Sequence, residues 1–508
     1  MTKDELKSSR NSAIKEFVAK PNTLLQKEPF TRGIQQTIDY SDGFVDVNET
    51  QEAKLPVCKR KIISQEQFMR ELDPNSHECL TDINIPSICV KVADGNFVEI
   101  KYERTSVPFQ KIIKNKQVLH LTGNKMEFTL IDKNPTLEQI SNFIVFKQYW
   151  DERNQDGMKK KLADKQLSLG DAGLLYYFDY KGRIKSRILS YDKGYVLCPH
   201  NDENGDRLCE AVYYQKNNVE YIDMYTDTDI YKFQHSYGDD NKDNGWAIVK
   251  GYPKKHGFSE IPLITKRGDV AWNDVQTLIT SYEILYNVFN AIQKRFGWGI
   301  LYVKGKFDEN ARKIAGNVVL NDRSLDGKGD AKFLTPPTPE NTIMTLDKLE
   351  DSIKIGSSTT FILPKDVKTS GDISGIAIQL TQSCDLEKAE ENAIDYQNVA
   401  DKMVRLFGEG LAKELVNNDI NPTALTDFQN LHISASFRVW RPFSKTEYNQ
   451  MLVTLTKGGI LSRKTGIEKN TESCPDEYAR IQDEAKSQEN ATADNEGGEN
   501  KDGSQEEQ

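Results

Sequence analysis

From Thr136 to Trp150, apolar side chains at Leu137, Ile140, Ile144 and Phe146 recur at helical spacing. The pattern predicts one helix that continues through the charged stretch Asp151–Lys165. The period then shortens to that of strands. Gly173–Phe178 is a run of Leu, Tyr and Phe; a turn follows at Asp179–Gly182, and Arg183–Ser190 is expected to return as a second strand. Short strands are expected at Tyr195–Leu197, Leu208–Gln215, Val219–Thr226, Ile230–Gln234 and Trp246–Val249, with Asp-, Asn- and Gly-rich turns between them. Such spacing predicts an antiparallel meander.

Helical spacing resumes at Val275, Leu278, Tyr282, Leu285, Phe289, Ile292 and Phe296. Steps of three and four over three heptads make the seam of a helix packed lengthwise on another. Asp269 or Asn273 can cap it and Gly297 can end it. Strands are expected at Ile300–Lys304, Val318–Leu320 and Lys332–Leu334. Thr338-Pro339 then opens a second helix, with Ile343, Leu346, Leu349 and Ile353 on one face. A Gly-, Ser- and Thr-containing segment (Phe361–Gly375) precedes a third helix, Ile376–Val416. Leu386, Ala389, Ala393, Tyr396, Ala400, Met403, Phe407 and Leu411 trace its face, and Gly408 and Gly410 weaken it late. A strand at His432–Trp440 and a helix at Glu447–Leu455, broken by Gly458 and Gly459, complete an α+β pattern. Residues 1–60 show no clear period, and no internal repeat is present.

With 508 residues, a formal net charge of -10 and 28% charged residues, the chain is long enough for several domains and too apolar for general disorder. Eleven Asp or Glu face three Lys or Arg from Asp476 onward, so eight of the ten net negative charges lie in a tail. The rest is nearly neutral, and its cations remain available to a polyanion. From Asp483 there is no large apolar residue, which predicts disorder there. No stretch of eighteen apolar residues occurs, which excludes a membrane-spanning helix. Met1–Arg10 lacks an apolar signal core, so secretion by that route is not expected. Seven cysteines, sparse and odd in number, suit a reducing compartment.

Enzyme signatures are missing: no phosphate-binding loop, no GxGxxG after a strand, no GxSxG and no HExxH. Cys198, His200 and Cys209 are the best metal candidates, but a fourth partner is missing, and two cysteines packed in a meander is the plainer reading. Asp202, Asn204 and Asp206 fit a simple turn better than a calcium loop, which would need a closing glutamate. Asp227 with Asp229, and Glu390 with Glu391, fit a solvated face better than a catalytic dyad. Neither a cofactor nor a catalytic constellation is expected, and the pattern is that of a chain built for architecture and contacts.

Three features in order carry a resemblance. The first is the β meander, with Gly170-Asp-Ala-Gly-Leu-Leu-Tyr-Tyr-Phe-Asp179 and a close at Gly257-Phe-Ser-Glu-Ile-Pro-Leu-Ile264. The second is the long helix, small β segment and returning helix. The third is Ser370-Gly-Asp-Ile-Ser-Gly-Ile-Ala-Ile378 leading into a long charged helix, followed by Phe437–Pro442 and Gly459-Ile-Leu-Ser462. Over about residues 136–482 this order resembles portal proteins of tailed bacteriophages, best those with non-contractile or short tails; the first 135 residues lie outside it.

The resemblance implies a portal fold. It comprises an N-terminal region and α/β wing (1–268), a first stem helix (269–298), a small α/β clip (299–337) and a returning stem helix (338–360). A tunnel loop (361–375), a long wing helix with a return strand (376–447), a short helical crown (448–482) and the acidic tail (483–508) follow. The implied protein is a closed ring, usually dodecameric, at one capsid vertex of the virion. Double-stranded DNA passes through it during packaging and ejection. Its implied partners are the major capsid and scaffolding proteins, the terminase large subunit and a head-tail adaptor, with no membrane; assembly is expected in the host bacterial cytoplasm. Lys365, Lys368, Thr369 and Ser370 are the tunnel-loop residues placed to face DNA. Lys304, Lys306, Arg312, Lys313, Arg323, Lys328 and Lys332 are the clip residues, contacting DNA, adaptor or terminase, or forming a solvated face. DNA that slides favours such sparse cations and hydroxyls over a dense basic patch, because each strong phosphate contact adds holding energy. The acidic tail would repel packaged DNA, bind a basic partner or do neither. Two rival readings are an intracellular nucleic-acid-processing enzyme and a monomeric scaffold or adaptor.

Overall fold

A computed structural model describes residues 3–25, 38–39, 59–60, 65–81, 88–91, 97–100, 103–132, 134–237, 243–296, 300–304, 313–314, 317–318, 330–334, 340–360, 380–441, 445–470 and 477–485. The chain divides into two compact units. One is Met1–Phe361 with Cys384–Trp440, and the other is Ile362–Ser383 with Arg441–Gln508.

The larger unit opens with helix α1 (Lys3–Ala19) and a 3-10 turn at Pro21–Leu25. Two short strand pairs, β1 (Ile38–Asp39) with β2 (Lys59–Arg60) and β3 (Ile88–Lys91) with β4 (Phe97–Ile100), flank α2 (Gln65–Leu72). Then come α3 (Phe109–Thr122), β5 (Glu127–Leu130), α4 (Leu137–Glu152) and α5 (Gln155–Leu169). Sequence periodicity predicts α4 and α5 as one helix. They are two because Asn154 adopts a left-handed backbone (φ 49°) and its side chain accepts the Gly157 amide at 3.2 Å, starting a new helix. At the other end, Thr136 and Gln139 form a capping box on α4.

Strands β6 (Asp171–Phe178) and β7 (Ile184–Leu189) follow, then β8 (Tyr195–Asn201), β9 (Arg207–Lys216), β10 (Val219–Tyr225), β11 (Asp229–Tyr237), β12 (Asp243–Ile248), β13 (Lys254–Lys255) and β14 (Leu263–Arg267). The expected meander is two sheets. β8 to β12 run as an antiparallel meander, with β13 also on β11, whereas β6 and β7 join β14 in the order β14-β6-β7. β14 returns antiparallel on β6, placing Leu263 opposite Leu175. The β9–β10 hairpin turns on Asn217 and Asn218, both at positive φ (52° and 62°), where asparagine tolerates the left-handed region. Between β8 and β9, Asp202 Oδ1 accepts the amides of Asn204 and Asp206, a side-chain-stabilised turn.

Helix α6 (Gln276–Phe296), the strand pairs β15 (Ile300–Lys304) with β18 (Asp330–Leu334) and β16 (Lys313–Ile314) with β17 (Asn317–Val318), and α7 (Glu340–Gly356) come next. α6 is entered through a 3-10 turn, Asn273–Val275, whose N-cap position is Trp272. The third helix is α8 (Ser383–Asn417), followed by α9 (Ala424–Gln429) and β19 (Ile433–Ser436). β19 is shorter than the expected His432–Trp440 because its partner β5 is only four residues long.

The main core lies where α4, α5, β6, β7 and α8 meet. Phe146, Trp150, Leu162, Tyr176, Tyr396, Met403, Phe407 and Leu411 are buried there. Helix α8 runs unbroken through Gly408 and Gly410. A Cβ at Gly410 would stand 2.1 Å from Ile184 Cδ1, so the glycine lets α8 approach β7. A second core forms where Ile14, Phe17, Val18 and Leu24 cover the β8–β11 sheet. Between the two sheets, Leu175, Leu189, Leu197, Val212 and Leu263 pack together.

The smaller unit contains helices α10 (Lys445–Lys457) and α11 (Arg463–Lys469) and a helical stretch at 477–485. Ser462 caps α11, accepting the Thr465 amide at 3.1 Å. The expectation of tail disorder concerns residues mostly outside the described set.

Candidate functional site

Helices α6 and α7 and the β15–β18 pair form a helix–hairpin–helix excursion. Lys304 lies opposite Asp330 and Lys332 opposite Tyr302 in the β15–β18 register; Lys313 lies opposite Val318. Lys306, Arg312, Arg323 and Lys328 fall outside the described residues. So do Lys365, Lys368, Thr369 and Ser370.

The deepest face of α6 is not the apolar seam alone. Ile279, Glu283, Asn287 and Ala291, at successive fourth positions, are buried, continuing from Val275 in the preceding 3-10 turn. Leu278, Tyr282, Leu285 and Phe289 are half-buried, and Ile292 remains 40% exposed. On α7, Leu346 and Ile353 are buried, while Ile343 and Met344 are exposed. Val275 and Ile279 join Phe68, Phe109, Ile113, Trp272 and Ile353 in one apolar cluster. Phe296 occupies the last position of α6.

The polar half of that face binds the N-terminal region, which the sequence left without a role. Glu283 Oε1 accepts the Val107 amide at 2.7 Å and meets His77 Nδ1 at 2.7 Å. His77 Nε2 faces the Glu71 carbonyl at 2.8 Å. Glu71 Oε2 in turn accepts the Trp272 indole N–H at 2.8 Å. Asn287 exchanges two bonds with the Thr105 backbone, at 2.9 and 2.7 Å. Both nitrogens of His77 face acceptors, so the geometry calls for the imidazolium. Burial opposes that charge, but the Glu283 carboxylate outweighs it and raises the His77 pKa above 6.5.

This linkage has a sign. A raised folded-state pKa gives stability that is complete below the unfolded value and fades as pH rises through the folded one. His77→Gln is therefore expected to destabilise the protein more at pH ~6 than at pH ~8.5, by about 1–2 kcal/mol. Urea midpoints of both proteins at both pH values measure it, and a difference independent of pH would contradict the ion pair.

The remaining sequence candidates resolve into structure. Cys198 and Cys209 are packed in the apolar core of the β8–β11 sheet, where burial pushes the Cys209 thiol up to about 12. His200 Nε2 instead meets the Leu24 carbonyl at 2.9 Å. Asp227 pairs with Arg10 at 2.8 Å, and Glu391 with Lys388 at 3.0 Å on an exposed face. Asp171 and Glu210 are two further buried carboxylates that the sequence did not single out. Burial lifts Asp171 to about 7, against the opposing charge of Arg267, and also raises Glu210, which Arg207 meets at 3.2 Å. Thr265 Oγ1 donates to Glu210 Oε2 at 3.0 Å, tying the two sheets together.

Residues 96–491 match the model of the family described as phage portal protein, SPP1 Gp6-like, and the chain belongs to that family. Portal proteins are structural and non-enzymatic, and they act as the head-to-tail connector of bacteriophages. No curated protein matches the chain. Among solved structures, a chain described as "Neck of empty GTA particle computed with C6 symmetry" shares 10% identity at a TM-score of 0.36, covering 70% of this chain and 88% of that one.

Proposed function

We propose that the chain closes into a ring at one vertex of a phage capsid, through which double-stranded DNA is packaged and ejected. α6 and α7 form the stem, the β15–β18 segment the clip, α8 the long wing helix, and α10 with α11 the crown. The observation that carries this reading is the α6 seam. Leu278, Tyr282, Leu285 and Phe289 are half-buried and Ile292 is exposed, although α7 already packs on the same helix. An apolar stripe left open along a helix is covered economically by the same helix pair of a neighbour. Repetition of that heterologous contact closes a ring.

In this reading the terminase large subunit and, later, the head-tail adaptor dock at the clip, and ATP hydrolysis belongs to the terminase. Capsid and scaffolding proteins surround the ring during assembly in the host cytoplasm. Residues 361–375, with Lys365, Lys368, Thr369 and Ser370, serve as the tunnel loop. Deleting Lys365–Ser370 is expected to leave ring assembly intact and to lower the yield of filled heads. DNA content of purified particles measures this, and normal packaging and retention would remove the loop assignment.

A further inference from the structure

The space between the two sheets is filled by Leu175, Leu189, Leu197, Val212 and Leu263. Side chains alternate faces along a strand, so residues two positions from these share their face. Two on from Leu175 is Tyr177. Two back from Leu189 is Arg187, with Lys185 beyond it, opposite Tyr177. On the facing sheet, Tyr195 and Tyr214 pack against the same apolar filling. Tyr214 stands opposite Tyr195 on one side and Tyr221 on the other. Both inner faces therefore run past the apolar filling into a margin of tyrosines and cations.

This margin is open and ordered. Tyr177 is 40% exposed, Arg187 is exposed, and Tyr195, Tyr214 and Tyr221 are half-buried. The Arg187 guanidinium lies 5.8 Å from the ring centres of both Tyr177 and Tyr195. The Lys232 ammonium lies 5.3 Å from the Tyr214 ring and 5.1 Å from that of Tyr221. The Tyr195 and Tyr214 rings are 5.6 Å apart, and the Tyr214 and Tyr221 rings 5.5 Å apart.

The charge of the margin is one-sided. Asp223, 8% exposed, is met by Lys232 at 3.4 Å and accepts from the Tyr214 hydroxyl at 3.3 Å. Asp179, just past β6, is met by Arg183 at 3.0 Å. Lys254 lies opposite Ile230, which packs on the same apolar filling, and so shares this face. Lys185, Arg187 and Lys254 make no ion pair among the described residues. In a chain with a formal net charge of -10, these three cations are left uncompensated on one aromatic surface.

We propose that this margin docks an acidic segment of a partner protein. Arg187 presents a planar fork, held against two rings, that fits a carboxylate with two parallel bonds. The tyrosines add rigid contact area at low entropic cost for the aliphatic parts of such a segment. Single-stranded nucleic acid suits the margin less well. Its bases need open ring faces, and Arg187 and Lys232 already lie over these rings. The inference does not rest on the portal reading.

Fluorescence anisotropy with the full chain tests this. The probes are a labelled peptide of repeated Glu-Glu-Leu, its Gln-Gln-Leu counterpart and an oligothymidylate of equal length. The wild type is expected to bind the acidic peptide and not the neutral one. Arg187→Ala with Lys254→Ala should weaken that binding about tenfold or more. Lys160→Ala with Lys161→Ala removes the same charge from exposed positions on α5 and should change it by less than about twofold. Tyr177→Ala should weaken binding at constant charge, which a diffuse electrostatic attraction would not show. Absence of peptide binding by the wild type, an equal loss in the two double variants, or unchanged binding in Tyr177→Ala would overturn the proposal. So would tighter binding of the oligothymidylate that is lost in Arg187→Ala with Lys254→Ala, which would make the margin a nucleic-acid site. None of these positions lies on the α6 seam, so peptide binding and ring formation are scored separately.

Discussion

A protein carrying Leu285→Glu and Phe289→Glu is expected to fold and to sediment as a single subunit of 57.8 kDa. Both positions lie on the half-buried seam of α6 and outside its deepest face, Ile279, Glu283, Asn287 and Ala291. Burying a Leu or Phe against a neighbour contributes about 1.5–3 kcal/mol, and in a ring that contribution recurs at every interface. Two carboxylates in the same seam would have to be desolvated without a partner, which reverses the sign of the contact. Retained circular dichroism with loss of the large species is the expected result. A ring of normal mass would mean that the seam serves only the subunit's own packing.

The second large effect is expected at Glu283. Glu283→Ala leaves the His77 imidazole and the Val107 amide without their acceptor inside a buried site. Breaking a buried pair from one side costs about 3–5 kcal/mol, a large part of the stability of a typical domain. Ser281→Ala on the exposed side of the same helix is the control, with an expected change within about 0.5 kcal/mol. Denaturant midpoints of the three proteins measure the difference. A Glu283→Ala loss below about 1 kcal/mol would mean that the N-terminal region does not clamp α6.

The face of α8 was legible because its core residues are apolar at helical spacing, from Ala389 through Tyr396 and Met403 to Leu411. The sheet strands were legible for the same reason, although their division into two sheets was not. That division depends on β14 returning to β6, a long-range pairing that no local period encodes. Helix α3 escaped notice because its buried side includes Gln110, Lys114, Gln117 and His120, which a hydrophobic count treats as surface. α1 was hidden likewise: among its described side chains, Ile14, Phe17 and Val18 pack on the sheet core, amid a largely polar sequence.

On α6 the apolar pattern pointed to a face that its own chain half-covers. The face buried most deeply includes Glu283 and Asn287, whose partners lie in the N-terminal region. Polar residues that satisfy one another across a long sequence separation leave no periodic trace. The bond between His120 and the Trp440 carbonyl has the same origin.

Native mass and negative-stain images of the purified full chain test the central claim most directly. The account predicts a closed ring of about a dozen copies with a central hole. A particle of 57.8 kDa at every concentration, with no ring in the images, would contradict it.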